Sequence, residues 1–381
     1  MFPRPPAARL LARLAAALLA GVGSARAAAE PEVRVELGHL HGAQFAIATP
    51  AVPWNKRLLL LAHGYRPESA PLVADLNPRR AALKAALDGG WMVATTSYRR
   101  NGLVIGDAIA DLDALRAYVA ATYGEPERVI VEGDSTGGLI AVLIAERERG
   151  LYDGAVAFDA TLYINEANSQ VGLTLQPRIP LLFVSTLRET KESKGYMTAL
   201  VSRPPPLVPP ALFLISREGH TNINQQERGY AFQVMNAWIE GGRDALPKPA
   251  DQKPYFDATV PPDPGPSTAL FRDDRKGFDT RVAEIDPVYG TLLLEAQASD
   301  FQRGQIPPMT FFQVISNGTP YRVLYGRTYS DVKDGEWVAF PDADGRTVLS
   351  RNFKDAAGTL GLKVGDPVAL VPIEPGGPAL R

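Results

Sequence analysis

Cysteine is absent from the 381 residues, so no disulfide staples the fold and no thioether-linked lipid anchors it. An exported protein without disulfides needs a core large enough to be stable alone. Hydrophobic residues at 45% and charged residues at 22% are ordinary for such a globular chain. Histidine is scarce, with four residues, which narrows the search for a general base. The net charge is also small, −2 at pH 7, so nothing draws the chain to phosphate backbones and nucleic acid is not an expected partner. Long apolar runs are missing too. Leu14–Val22 is shorter than the roughly 20 residues of a membrane-spanning helix, and no later segment is apolar enough over that length.

That short run has another meaning. Arg4, Arg9 and Arg13 precede it and Ala25-Arg26-Ala27 follows it, the layout of a secretory signal peptide. Residues 1–27 are expected to be cleaved near Ala27, giving a secreted or periplasmic protein with no stable membrane anchor. Cleavage removes four arginines and no acid, which moves the formal charge from −2 to −6.

Beyond the leader, Val33–Thr49 alternates as an edge hairpin does. Unbroken apolar runs follow at Arg57–Ala62, Trp91–Thr96, Arg128–Glu132, Gly154–Phe158, Pro180–Ser185 and Ala211–Ser216. Such runs read as strands buried on both faces. Helical patterns at Pro78–Leu87, Asp107–Ala121, Leu139–Arg147 and Asn222–Glu240 separate them. The class is α/β, a mostly parallel sheet with helices on both faces. Residues 243–280 read as a Pro-rich linker. A small, mostly β domain follows at 281–374, with strands at Thr291–Glu295, Tyr321–Tyr325, Trp337–Phe340 and Pro367–Pro372.

The chemistry concentrates in Arg128–Leu139, RVIVEGDSTGGL. Here G-x-S-x-G stands between a buried strand and a helix. The serine of such a turn is strained, and only small neighbours leave room for it. Its hydroxyl is then exposed beside a helix N-terminus, which marks Ser135 as a nucleophile. A serine needs a base to attack. His220, directly after the last strand of the alternating region, is the one histidine downstream of Ser135. That matches the order in which this kind of fold supplies its groups.

These ordered signals, HGY at 63–65, GDSTG at 133–137 and GH at 219–220, make residues 33–242 resemble an α/β-hydrolase. The elbow is similar to that of hormone-sensitive-lipase-like esterases, but their HGGG loop is missing, so the resemblance is to the superfamily. It implies an oxyanion hole formed by the N–H groups of Tyr65 and Thr136, with His63 and Gly64 shaping the loop. It also implies an acid after the penultimate strand. Glu189 fits that place, with Asp159 and Glu192 as alternatives. Tyr98 and Tyr163 are candidate lining of the substrate pocket. The short stretch Asp159–Pro180 leaves room only for a small lid, and Pro204–Pro210 could shape one wall.

Other signals are weaker. His39-Leu40-His41 places two imidazoles at a metal-like spacing, yet no third ligand is near, so an edge strand is the better reading. Asp342-Ala343-Asp344-Gly345 opens like a calcium loop but lacks the rest of it. Residues 281–374 resemble the C-terminal domain of S-adenosylmethionine hydroxide adenosyltransferases and fluorinases, through AEIDPVYGTLLLE, YSDVKDGEWVAF and DGRTVLSRNFKDAAGTLGLKVGDPVAL. In that family the domain contributes to an adenosyl pocket between subunits of a trimer. Here Tyr289-Gly290-Thr291 lacks the family's Asn, while Arg351-Asn352 is kept. With the family's catalytic domain replaced, the resemblance implies a module for packing, ligand contact or homo-oligomer formation. The expectation is a serine hydrolase that cleaves small-molecule carboxylic esters through an acyl-enzyme, with no metal or organic cofactor. A serine peptidase of the same fold, or an adenosyl-binding protein on a vestigial hydrolase scaffold, stays open.

Overall fold

The unbroken apolar runs become the central strands of one sheet, because each is covered on both sides. In the computed structural model, which describes residues 32–147, 150–162, 172–201, 208–248, 265–271 and 276–373, an antiparallel hairpin, β1 (Arg34–Leu40) and β2 (Ala43–Thr49), forms one edge. The strands β3 (Arg57–Ala62), β4 (Met92–Thr96), β5 (Arg128–Asp134), β6 (Gly154–Phe158), β7 (Leu181–Thr186) and β8 (Ala211–Ile215) continue it. The order is β1-β2-β4-β3-β5-β6-β7-β8, with every pair from β4 onward parallel. This is the α/β class expected from the sequence, a mostly parallel sheet with helices on both faces.

Helices α2 (Ile105–Tyr123) and α3 (Thr136–Ala145) pack on one face, where Leu58, Leu60, Val129 and Val131 are buried. Helices α1 (Ala81–Asp88) and α5 (Gln225–Gly241) pack on the other, over Leu59, Val93, Ile130 and Val156. Alternate residues of one strand thus serve two separate cores, which is why the runs show no polar period. Truncating one of these leucines to alanine typically costs ~2–5 kcal/mol. Helix α4 (Thr190–Val201) follows β7 and escaped the sequence reading. It buries only Thr190, Ser193 and Tyr196, so it has no apolar stripe to betray it.

The C-terminal domain is a second sheet. It comprises β9 (Leu270–Phe271), β10 (Phe278–Ile285), β11 (Leu292–Gln297), β12 (Phe311–Ser316), β13 (Thr319–Tyr325), β14 (Trp337–Pro341), β15 (Arg346–Arg351) and β16 (Pro367–Pro372). Two short helices, α6 (Ala298–Arg303) and α7 (Ala356–Leu360), accompany it. The order is β11-β15-β14-β13-β12-β16-β10-β9, and an extra β10–β11 pairing closes the sheet on itself. Closure removes exposed edges, and Phe301 and Phe312 fill the centre with no exposure.

The expected linker extends too far. Residues 265–271 already belong to the barrel: Gln297 Nε2 donates to the Gly265 carbonyl at 2.7 Å, Ser267 Oγ to Asp300 at 2.6 Å, and β9 pairs with β10. The prolines before it and Pro266 within it disguise this segment, and only two of its residues make a strand. The signal-peptide segment, Tyr163 and most of Pro204–Pro210 lie outside the described residues. Among the described residues no helix is long and apolar enough to cross a membrane.

Candidate active site

Ser135 forms the turn between β5 and α3 with φ 56° and ψ −118°, a backbone region that non-glycine residues seldom occupy. The turn is held by Ser135 N–H donating to the Phe158 carbonyl at 2.9 Å and Thr161 N–H donating to Ser135 O at 3.1 Å. Its glycines are sterically required. A Cβ on Gly133 would run into the carbonyl of Gly137, and one on Gly137 into that of Ala62.

His220 stands 85 residues downstream in sequence and touches the serine, Nε2 to Ser135 Oγ at 2.8 Å. Its other nitrogen, Nδ1, is 3.1 Å from Glu189 Oε1. Neutral imidazole therefore carries its proton on Nδ1, facing the carboxylate, and offers Nε2 to the serine hydroxyl. The two partners shift together. The hydrogen bond with Glu189 raises the His220 pKa against the effect of burial, and the same bond lowers that of Glu189.

The two other acids expected as alternatives have other work. Asp159 is fully buried and accepts from Thr186 N–H and Thr221 N–H, each at 2.7 Å. It ties the end of β7 to the residue after His220, and among the described residues it makes no hydrogen bond to the imidazole itself. Burial pushes its pKa up to about 7, against the opposing Thr186 donors and the His220 charge. Glu192, on α4, accepts from Leu162 N–H.

The loop after β3 lies against the elbow. A Cβ on Gly64 would come within 3.1 Å of the Asp134 carbonyl and 3.5 Å of Ser135 Cβ, so glycine permits the approach. Thr136 opens α3, where the first N–H groups have no intrahelical partner. Among the described residues neither Thr136 N–H nor Tyr65 N–H meets a protein acceptor. His63 is a loop shaper. Nδ1 lies 2.7 Å from Gly64 O and Nε2 3.1 Å from Ser97 O. Burial, then the nearby Arg66 charge, brings its pKa down to about 4, so the ring is neutral and donates to one of these carbonyls. Tyr98 departs from expectation. It is 2% exposed, stacks under His63 with ring centroids 3.9 Å apart and donates to the His63 carbonyl at 3.2 Å. It supports the loop from within the core instead of lining a pocket.

Two contacts had no sequence signal. Thr161 Oγ1 lies 3.2 Å from Ser135 Oγ. Tyr289, from the barrel, donates through Oη to the Tyr65 carbonyl at 2.7 Å. His39 lies on β1 opposite Gln44 of β2, whereas His41 stands in the hairpin turn at φ 52°. Arg351 and Asn352 serve the barrel: Arg351 Nε donates to Gly335 O at 3.1 Å and Asn352 Nδ2 to Val332 O at 3.2 Å.

Comparison with known proteins bears on the two halves separately. Residues 280–369 match the family described as the SAM hydroxide adenosyltransferase C-terminal domain. No curated protein matches the chain. Among solved structures, an uncharacterized conserved protein from Thermotoga maritima is similar at 16% identity and a TM-score of 0.26, over 39% of this chain and 50% of that one. Pyrococcus horikoshii acylaminoacyl peptidase is similar at 10% identity and a TM-score of 0.40, over 54% of this chain and 41% of that one. TT1662 from Thermus thermophilus gives 17% identity and a TM-score of 0.40, over 55% of this chain and 99% of that one. The chain thus spans about half, or less, of the length of the first two.

Proposed function

We propose that this protein is an exported serine hydrolase that cleaves carboxylic esters of small molecules through an acyl-enzyme. One observation carries the reading: the unbroken relay from Ser135 Oγ to His220 Nε2 at 2.8 Å and from His220 Nδ1 to Glu189 at 3.1 Å. In such a relay Ser135 Oγ attacks the ester carbonyl while His220 Nε2 takes its proton, and Glu189 stabilises the imidazolium that forms. The carbonyl oxygen becomes an oxyanion, which the N–H groups of Tyr65 and Thr136 would receive. Collapse breaks the bond to the alcohol oxygen, which takes the proton back from His220. Water then repeats the cycle on the serine ester.

The strained Ser135 backbone supports the same reading, since conformations of this cost persist where function requires them. The test is hydrolysis of a chain-length series of p-nitrophenyl esters by the full chain and by Ser135→Ala. Loss of activity in the variant, with fluorophosphonate labelling confined to Ser135, is the expected result. A protein that neither turns over these esters nor reacts with the probe would overturn the proposal.

A further inference from the structure

A cleft of about 400 Å³ opens beside His220, between the sheet and the barrel. Gly219, His220 and Thr221 form its inner edge, and Arg327, Tyr329 and Phe340 of the barrel form its roof. The volume is within the ~300–1,000 Å³ usual for small-molecule sites. Its position has a chemical meaning if the ester-hydrolase reading holds. The departing alcohol takes its proton from His220 Nε2 and so leaves past this imidazole, which is one of the side chains lining the cleft.

The walls specify what would fit. Glu132 faces the cleft, is 7% exposed, and its carboxyl accepts no hydrogen bond among the described residues. Its oxygens are reachable from the cleft and can accept from a ligand's donors. Arg228 stands beside it, but its guanidinium is already held by both oxygens of Asp134 at 2.6 and 3.1 Å. A cation docked at Glu132 would meet that guanidinium, and an anion would meet Asp134. On the roof, the Arg327 guanidinium has no partner among the described residues and offers donors. Tyr329 and Phe340, edge to face at 4.8 Å, add an apolar ledge.

We propose that this cleft is the leaving-group subsite and that it takes a neutral, polyhydroxylated alcohol of the sugar type. Hydroxyls would donate to Glu132 and accept from Arg327, while the C–H face of the ring rests on Tyr329 and Phe340. The chemistry balances as an ordinary transfer: the acyl C–O bond to the sugar oxygen breaks, the serine ester forms, and the His220 proton ends on the sugar hydroxyl.

The test compares methyl 6-O-acetyl-glucoside with ethyl acetate, which share one acyl group, by kcat/KM on the full chain. A preference of about tenfold or more for the sugar ester is expected, the scale of one well-used buried hydrogen bond. Arg327→Ala, on an exposed side chain, and Glu132→Gln should each draw that ratio toward one, mainly through KM. Equal kcat/KM for the two acetates, with both hydrolyses abolished by Ser135→Ala, would overturn the subsite while leaving the hydrolase reading intact. A preference for acetylcholine over the sugar ester would overturn it as well. No hydrolysis of either acetate, together with no fluorophosphonate labelling, would remove the reading on which the subsite rests.

Discussion

The hydroxyl of Tyr289 donates to the carbonyl of Tyr65 at 2.7 Å, joining the barrel to the loop whose N–H is the candidate oxyanion donor. The link is not isolated. Arg188, next to Glu189, reaches Ser330 Oγ at 3.4 Å, and Asp344 Oδ1 accepts from Gln225 N–H at 2.9 Å just after the His220 loop. The barrel therefore contacts two of the loops that carry the candidate site and the first residue of the helix that follows the third.

Tyr289→Phe removes only the hydroxyl and so tests Tyr289 as a positioning residue. A typical hydrogen bond is worth ~0.5–1.5 kcal/mol net, or roughly 2–10-fold in rate. We expect kcat to fall within that range with KM and thermal stability little changed. A loss seen in KM or in the melting temperature alone would mean that the contact is merely structural.

The His220–Glu189 pair predicts a pH profile. A base must be neutral to accept the serine proton, and the Glu189 hydrogen bond raises the His220 pKa above its ordinary value of ~6.5. Activity should therefore fall, as pH drops, through a limb lying above that value. Glu189→Gln removes the carboxylate, leaving burial to favour the neutral ring, so the limb should move to lower pH. The same change should reduce kcat by up to roughly 10⁴-fold, because the imidazolium loses its partner. An unmoved limb in kcat/KM–pH profiles would assign it to another group.

Much of this was written in the sequence, and what was not has physical reasons. The strands of the first sheet were legible because burial on both faces makes their runs continuous. Ser135 was legible because its turn demands Gly133 and Gly137, and His220 because histidine is rare here. The acid was only half legible: Glu189 and Asp159 both follow strands of the parallel sheet, and their roles depend on which carboxylate reaches Nδ1. The contacts of Thr161 with Ser135 and of Tyr289 with Tyr65 were invisible, since a threonine in a loop and a tyrosine 224 residues from its partner carry no local pattern for them. Helix α4 lacked an apolar stripe, and β9 was hidden among prolines.

Asp159 offers a test that separates support from catalysis. Its two carboxylate oxygens each accept one backbone N–H, from Thr186 and Thr221. In Asp159→Asn one of those N–H groups faces an amide NH₂ instead, which costs ~1–3 kcal/mol and loosens the residue next to His220. We expect a moderate fall in kcat with fluorophosphonate labelling of Ser135 retained. The carboxyl's pKa is raised to about 7 in the folded state, so the folded protein holds a proton that the unfolded chain releases near pH 4. Wild type should therefore lose stability relative to the variant as pH rises from about 4 to 7, and the difference should be flat above that. Denaturant melts at pH 4.5 and 7.5 measure it, and a pH-independent difference would refute the assignment.

The loop bearing His220 is fixed from below by an ion pair with almost no solvent. Arg217 and Glu227 are 6% and 1% exposed, and they meet at 3.0 and 2.5 Å. Arg217 also donates to the Asn222 carbonyl at 2.8 Å, and Glu227 forms the capping box of α5 with Asn224. One carboxylate thus joins the end of β8, the His220 loop and the first turn of α5. Breaking such a pair from one side strands a buried charge, which typically costs ~3–5 kcal/mol, whereas replacing both partners by apolar groups is often close to neutral. Arg217→Leu should accordingly be severely destabilised, and Arg217→Leu with Glu227→Met should recover much of the loss. Burial already raises the Glu227 pKa, and Arg217 opposes it. Without the arginine the carboxyl should protonate more readily, so the single variant's deficit should shrink as pH falls. Urea melts of both variants at pH 5 and pH 8 decide the matter: a deficit equal at both pH values, or a double variant no better than the single, would show that packing rather than charge holds this loop.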